Sequence, residues 1–302
     1  MIKITNSNKS LSLAINLQGG SVSYFKFKNK FYKEGINLFR PENQISKKFN
    51  IIKTSCFPLT PFCNRVSKNK FEYKGKKYDF INNTNLGKYY LHGDGWLKKW
   101  KIKKITKTEI KIFLKKNLSD SSPYSYLSQE HFILNRNSLR IDLSVKNLNN
   151  IALPFGLGLH PYFPKNKFTL LKAMSKKHWL EDKHYIPKKI IDNSKKMNFN
   201  EPNDLPSTWT NNCFNNWNSK AKIIWLDKKL MLEINSTKNC KYFFLHVSSK
   251  KFEKSFKNDY FCFEPMTHAV NAHNMKGKNG LVELKKNQTF KISTVFKINQ
   301  LK

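Results

Sequence analysis

The sequence predicts an all-β protein, one large antiparallel sandwich over residues 1–302. Short segments that alternate polar with apolar residues, or are rich in aromatics, recur along the chain between Gly, Asn, Asp and Pro, which is how half-buried strands read. Helical periodicity over ten or more residues is hard to find. Composition does not shift along the chain, so no domain boundary is evident.

In chain order, strands are expected at Ser21–Phe27 (just after Gly19 and Gly20), Phe71–Phe80, Ile110–Leu114, Leu139–Val145, Ile223–Leu226, Leu230–Ile234, Tyr242–Val247, Tyr260–Phe263 and Phe290–Ile298. The stretch from Lys98 to Lys116 alternates Lys with Ile, Thr and Phe, which suggests a strand pair with a solvated Lys face. The most polar interval, 192–206, is expected to be a long surface loop, because strand signals resume beyond it.

The charge balance, 56 Lys+Arg against 20 Asp+Glu for a net +36, would ordinarily point to nucleic acid or an anionic membrane surface. Only four of the 56 are Arg (Arg40, Arg65, Arg136 and Arg140), and Lys lacks the bidentate fork that reads bases and grips phosphates. The Lys are spread along the chain beside 36 Asn. Lys, Asn, Ile and Phe share AT-rich codons, so base composition accounts for the profile without a polyanionic partner. At 39% hydrophobic and 14% aromatic the chain can still bury a core. Five Cys with no CxxC pair favour a reducing compartment. The longest apolar run, residues 151–159, is too short to span a bilayer, and the N-terminus lacks a clear signal-peptide pattern. A cytoplasmic protein, with no membrane or specific nucleic-acid partner, is the expectation.

Four strings join turn residues to capable side chains. In SCFPLTPFCNRV, Asn64 precedes Arg65; a surface Arg at a strand start would read the same way, but a guanidinium kept in a Lys-saturated chain suggests a need for its planar fork. In LHGDGW, Gly93 and Gly95 permit a tight turn, His92 and Asp94 offer hydrogen bonds, and Trp96 offers a flat apolar face for a sugar; a hairpin with an anchoring Trp fits equally. LPFGLGLHPYFP brackets His160 with Gly and Pro, in a context that also suits a satisfied core histidine. In YFCFEPMTHAVNAHN, Glu264 ends an aromatic strand, where a carboxylate is costly unless paired or turned to solvent. His268 and His273, five apart, are a weak metal signal and read as surface residues; no zinc spacing, phosphate loop or GxSxG elbow is present.

Taken in this order, with Gly19–Gly20 before a strand and an F-x-Y-x-G-x-x-Y strand at Phe71–Tyr78, these strings resemble the aldose 1-epimerase (galactose mutarotase) superfamily across essentially the whole chain. The resemblance implies a large antiparallel β-supersandwich with an open central cleft. It implies His160 as general acid and Glu264 as general base, with Arg65, His92 and Asn64 binding a small-molecule sugar. Asp94, Trp96 and Trp217 are further candidate sugar contacts. Neither a metal nor another cofactor is implied. Many members carry an Asp three residues before a Phe in the segment after HPYF; here Trp209–Phe214 (WTNNCF) puts Asn211 at that position. The expected activity is an isomerase interconverting α and β anomers of a free aldose. An epimerase of a phosphorylated hexose, and a carbohydrate-binding protein without turnover, are the alternatives.

Overall fold

A computed structural model of the chain describes residues 1–43 and 49–301. Two large antiparallel sheets dominate it. The first has nine strands in the order Lys101–Ile105, Glu109–Lys116, Tyr126–Leu134, Ser138–Asn147, Thr289–Gln300, Leu230–Ser236, Lys220–Trp225, Thr169–Ala173 and Asn203–Asp204. The second has eight in the order Pro187–Asp192, Lys177–Glu181, Thr210–Asn215, Tyr242–Val247, Tyr260–Met266, Gly158–Leu159 and Pro58–Leu59, with Tyr162–Pro164 also paired to Tyr260–Met266. A four-stranded sheet of Ile2–Thr5, Leu11–Asn16, Ser21–Phe27 and Ile36–Asn37 joins them. The only helices among the described residues are single 3₁₀ turns.

Side-chain alternation explains the sandwich. The strand Thr289–Gln300 buries Phe290, Ile292, Thr294, Phe296 and Ile298 and leaves the residues between them more exposed, the period-two pattern of a strand with one face on a core. Phe39 sits where the sheets meet. Its ring packs edge-on against Phe25 and Phe163 at 5.3 Å and Phe296 at 5.0 Å, one from each sheet. Burying a ring of that size contributes about 1.5–3 kcal/mol.

The Lys98–Lys116 stretch is the expected strand pair. Ile110, Ile112 and Leu114 face the core, and every residue of Lys101–Ile105 is exposed at the sheet edge, where lysines discourage pairing with another chain. Three expectations need correction. Phe71–Phe80 is a hairpin, Lys70–Tyr73 against Lys76–Asp79, because Lys74 and Gly75 both adopt positive φ and turn the chain. The interval 192–206 is not wholly a surface loop: Phe199 is fully buried, and Asn203–Asp204 adds an edge strand to the nine-stranded sheet. The strand that begins at Tyr260 runs on to Met266, so Glu264 lies inside it rather than at its end.

Alternation also buries Glu130, on the core face of Tyr126–Leu134 with Tyr126, Ser128, Phe132 and Leu134. Its Oε2 has no hydrogen-bond partner among the described residues, and burial pushes its carboxyl well above the usual range. The fold therefore holds a proton that the unfolded chain releases above about pH 4.3. Stability from this group is fully present below that pH and is lost as pH rises toward the folded value. Glu130→Gln removes the dependence. The stability difference between variant and wild type should shift in favour of the variant between pH 5 and pH 8, by up to about 1.4 kcal/mol per pH unit. Thermal melts at the two pH values check this; a difference that is flat with pH would show Glu130 already ionised in the fold.

Candidate active site

A concave pocket opens over the centre of the eight-stranded sheet, and the four strings converge on it. Glu264 comes from the strand Tyr260–Met266, opposite Phe244 of the neighbouring strand. His160 follows Gly158–Leu159 on the other side of that strand, anchored by its own N–H donating to the Phe57 carbonyl at 2.9 Å. The pairing of Arg65–Val66 with Tyr90–Leu91 places Arg65 beside His92. The turn after Leu91 needs glycine: Gly93 has φ +65°, and a Cβ there would meet the Thr60 carbonyl at 2.4 Å.

At the centre, His160 Nε2 lies 3.2 Å from Glu264 Oε1, with Glu264 only 1% exposed. Burial pushes the Glu264 carboxyl well above its ordinary range, opposed by the Arg65 charge. Burial pushes His160 well below its own, with the Arg40 charge adding to it. Both shifts favour the neutral forms. The pair thus retains one mobile proton, shared across a single hydrogen-bond distance.

The His160 ring is held by stacking. Phe57 lies at 4.4 Å on one side and Tyr162 at 4.8 Å on the other. Behind Tyr162, the Arg40 guanidinium lies 3.8 Å from the Tyr162 ring and 4.2 Å from that of Tyr260, while donating to the carbonyls of Ile52 and Thr54. A Lys ammonium has no flat face to lay against the two rings while making those bonds.

Arg65 is 7% exposed, lies 4.7 Å over Tyr185, and has Nη1 3.4 Å from Asn64 Oδ1. Its Nε, Glu264 Oε2 and His160 Nδ1 are all buried without hydrogen-bond partners among the described residues. Native folds rarely leave such atoms unpaired, and here three of them gather at one pocket.

His92, His160 and Glu264 each bring one potential ligand atom within 4.8 Å of the others, a set of the type that binds divalent metals. The donors do not fit that use. The Asn64 backbone N–H donates to His92 Nδ1 at 3.0 Å, and burial keeps His92 neutral. Its proton therefore sits on Nε2, which offers the pocket a hydrogen-bond donor rather than a metal ligand.

A family model described as aldose 1-epimerase matches residues 1–297. The chain belongs to the aldose 1-epimerase family. It is 33% identical over 282 residues to the Escherichia coli K12 protein named "Uncharacterized protein YphB", covering 93% of each chain. Its fold superposes with TM-score 0.91 and 31% identity on an E. coli K12 crystal structure presented as a "Putative aldose 1-epimerase", covering 99% and 98% of the two chains. A Caenorhabditis elegans GalM/aldose epimerase homologue, 17% identical with TM-score 0.84 over 100% and 99% of the chains, shares the fold.

Within this epimerase-family pocket, Arg65, His92, Asn64, His160, Glu264 and Asn211 all line the wall. The other expected contacts are either outside the pocket or already covered. Asp94 accepts a hydrogen bond from the Tyr126 hydroxyl at 2.5 Å, pairs with the buried Lys116 ammonium at 3.6 Å, and does not line the pocket. Trp96 lines it but is 1% exposed. Phe57 stacks on its face at 5.4 Å, and its Nε1 donates to the Leu91 and Gly93 carbonyls, so no open platform remains for a sugar. Trp217 is buried against Phe243 and Phe263, away from the pocket. His268 is no surface residue: it is fully buried, accepts from the Cys63 N–H at 2.8 Å, and leaves no room for a Cβ on Gly156. His273, half-buried, meets the Tyr124 hydroxyl at 3.0 Å.

Sequence reasoning missed Arg40, His246 and Glu181. Arg40 carried the same signal as Arg65, since it is one of only four Arg in the chain. His246 and Glu181 sit in ordinary alternating strands with no motif around them.

Proposed function

We propose that the protein is an aldose 1-epimerase that interconverts the α and β anomers of a free aldose. The observation that carries this is the His160–Glu264 pair, 3.2 Å apart and buried, beside the Arg65 guanidinium and the His92 donor. Such a pair exceeds what sugar binding alone requires, because its two groups differ in charge state by a single transferable proton.

Ring opening uses that proton directly. His160, as imidazolium, gives its Nε2 proton to the ring oxygen while Glu264, as carboxylate, takes the proton of the anomeric hydroxyl. The C1–O5 bond breaks and the aldehyde forms. His160 is then neutral and Glu264 protonated, the state that burial favours for both groups. Rotation about C1–C2 exposes the other face of the carbonyl, and reclosure returns each proton to its source. Arg65 beside Glu264 opposes the burial effect and keeps the carboxylate form within reach. Arg65 and the Nε2–H of His92 are suited to hold ring and hydroxyl oxygens.

The pocket favours an uncharged sugar over a phosphorylated one. The Lys53 ammonium at its rim is already paired with the Glu253 carboxylate, which also accepts from the Tyr260 hydroxyl. A phosphate there would have to displace or face that carboxylate.

Anomer exchange by NMR on a panel of aldoses and aldose 6-phosphates tests the reading. Acceleration of at least one free aldose above the buffer rate is expected, with the 6-phosphates poorer. No acceleration of any sugar would sink the proposal, and preference for a 6-phosphate would reverse the substrate assignment.

A further inference from the structure

Three residues on adjacent strands behind and within the pocket wall form a chain of hydrogen bonds with a fixed direction. Glu181, at the end of Lys177–Glu181, accepts from Trp209 Nε1 at 3.2 Å through Oε1 and from Asn211 Nδ2 through Oε2. Asn211 stands opposite His246 in the strand register, and its Oδ1 lies 3.1 Å from His246 Nδ1. We propose that this Glu181–Asn211–His246 relay fixes His246 as a hydrogen-bond acceptor in the pocket, and that His246 thereby selects sugars carrying a donor hydroxyl at the position it faces; the sugar itself rests on the function proposed above.

The direction follows from donor and acceptor chemistry. Burial raises the Glu181 carboxyl, opposed by the hydrogen bonds from Asn211 and Trp209 and by the Arg65 charge; as a carboxylate it only accepts, so the Asn211 amide turns its NH₂ toward Glu181 and its carbonyl toward His246. That carbonyl also only accepts, so the His246 proton must be on Nδ1, leaving Nε2 bare. The His246 ring is neutral at physiological pH, since burial and the Arg65 charge push it down to about 4. Trp209 and Phe252 pack edge-on against it at 5.2 and 6.0 Å and hold its orientation. His246 lines the pocket, and Nε2 meets no side chain at hydrogen-bond distance among the described residues; the Thr210 backbone carbonyl also accepts from the ring.

His92 has the opposite polarity. Its Nδ1 accepts from a backbone N–H, so its Nε2 donates. One pocket therefore offers a histidine donor and a histidine acceptor, each set by the partner of its other nitrogen. The relay also accounts for Asn211 where the family resemblance led us to expect Asp. Glu181, one strand over, supplies a carboxylate at that spot, and a second one at 211 would set like charges side by side.

The relay can be tested on the full chain in two ways. Nitrogen-15 NMR of the histidine rings in wild type should show His246 with Nδ1 protonated and Nε2 bare; an Nε2–H tautomer, or imidazolium at neutral pH, would overturn the proposal without any variant. Kinetics then use the aldose that wild type turns over best, together with its monodeoxy derivatives. Wild type should disfavour one monodeoxy sugar by about tenfold in kcat/KM, the worth of one hydrogen bond. His246→Phe should treat that sugar and the parent within about twofold, mainly through KM; unchanged discrimination would refute the role. Glu181→Gln and Asn211→Asp should each raise KM by about tenfold. The double variant should recover, because Gln can donate to a carboxylate that again accepts from His246. Failure to recover would overturn the directional relay. If wild type turns over no aldose, the functional reading fails by itself, and the tautomer measurement still decides the relay.

Discussion

Glu264→Gln should lower kcat for anomer exchange by about 10²–10⁴-fold, the usual contribution of a positioned base. Gln matches Glu in shape, so the pocket wall and the contacts of Arg65 are retained. What it cannot do is accept the proton of the anomeric hydroxyl. The loss should therefore fall on kcat with KM little changed, the signature of an interaction needed only in the transition state. Stability should move the other way. The folded protein holds the Glu264 proton above its ordinary range because burial disfavours the carboxylate. Stability from this group is present below about pH 4.3 and is lost as pH rises from there toward the folded value. Removing the ionisable group should raise the midpoint of thermal unfolding at pH 8 relative to pH 5, compared with wild type. A variant that keeps kcat within about threefold of wild type would end the assignment of Glu264 as the base. Loss of activity together with loss of stability at pH 8 would mean that the carboxylate is structural.

Period-two patterning made the sandwich legible, because each strand reveals its buried face locally: Phe290 to Ile298 could be read without knowing the neighbouring strand. The site was legible where a motif is compact and its turn residues are unusual. His92 and His160 each stand beside Gly or Pro, Asn64–Arg65 closely follows Pro58 and Pro61, and Arg65, His160 and Glu264 line one pocket. Partners distant in sequence were not legible. Asp94 looks like an exposed turn carboxylate until Tyr126 and Lys116, from two long strands of the other sheet, close over it. Trp96 looks like an open platform until Phe57 covers it. His246 and Glu181 acquire a role only through the sheet order, which sets Lys177–Glu181 and Tyr242–Val247 on either side of Thr210–Asn215. Strand order is decided by tertiary pairing, and nothing in the local sequence of those three strands encodes it.

The net charge of +36 has no counterpart in the pocket. Its cationic wall groups are Arg65 and Lys53, and Lys53 is paired with Glu253. The two guanidiniums that shape the site, Arg65 buried and Arg40 half-buried, lie over the rings of Tyr185, Tyr162 and Tyr260. A Lys coat can accumulate on exposed strands such as Lys101–Ile105 without touching that geometry. The two arginines could not become lysines at equal cost, since the ammonium offers neither the plane nor the fork.

His160→Asn should cost about as much as Glu264→Gln, roughly 10²–10⁴-fold in kcat, and the two losses should not add. The ring oxygen receives its proton only if His160 can release one, and Asn can donate a hydrogen bond but not a proton. Once either end of the transfer is lost, the other end has nothing to exchange with, so the double variant should be no slower than the poorer single variant by more than about threefold. The pH profile separates this from a packing defect. In wild type, activity should fall on the alkaline side when the pair loses its single shared proton. Burial of Glu264 postpones that loss to well above the usual carboxylate range. His160→Asn should leave a slow residual rate without that alkaline limb, because no imidazole remains to be loaded. Phe57 and Tyr162 still bracket the position, so the smaller side chain opens a gap between two rings that remain held, Phe57 by Trp96 and Tyr162 by Arg40. Additive losses in the double variant, or an alkaline limb preserved in His160→Asn, would show that the two residues do not act as one proton-transfer unit.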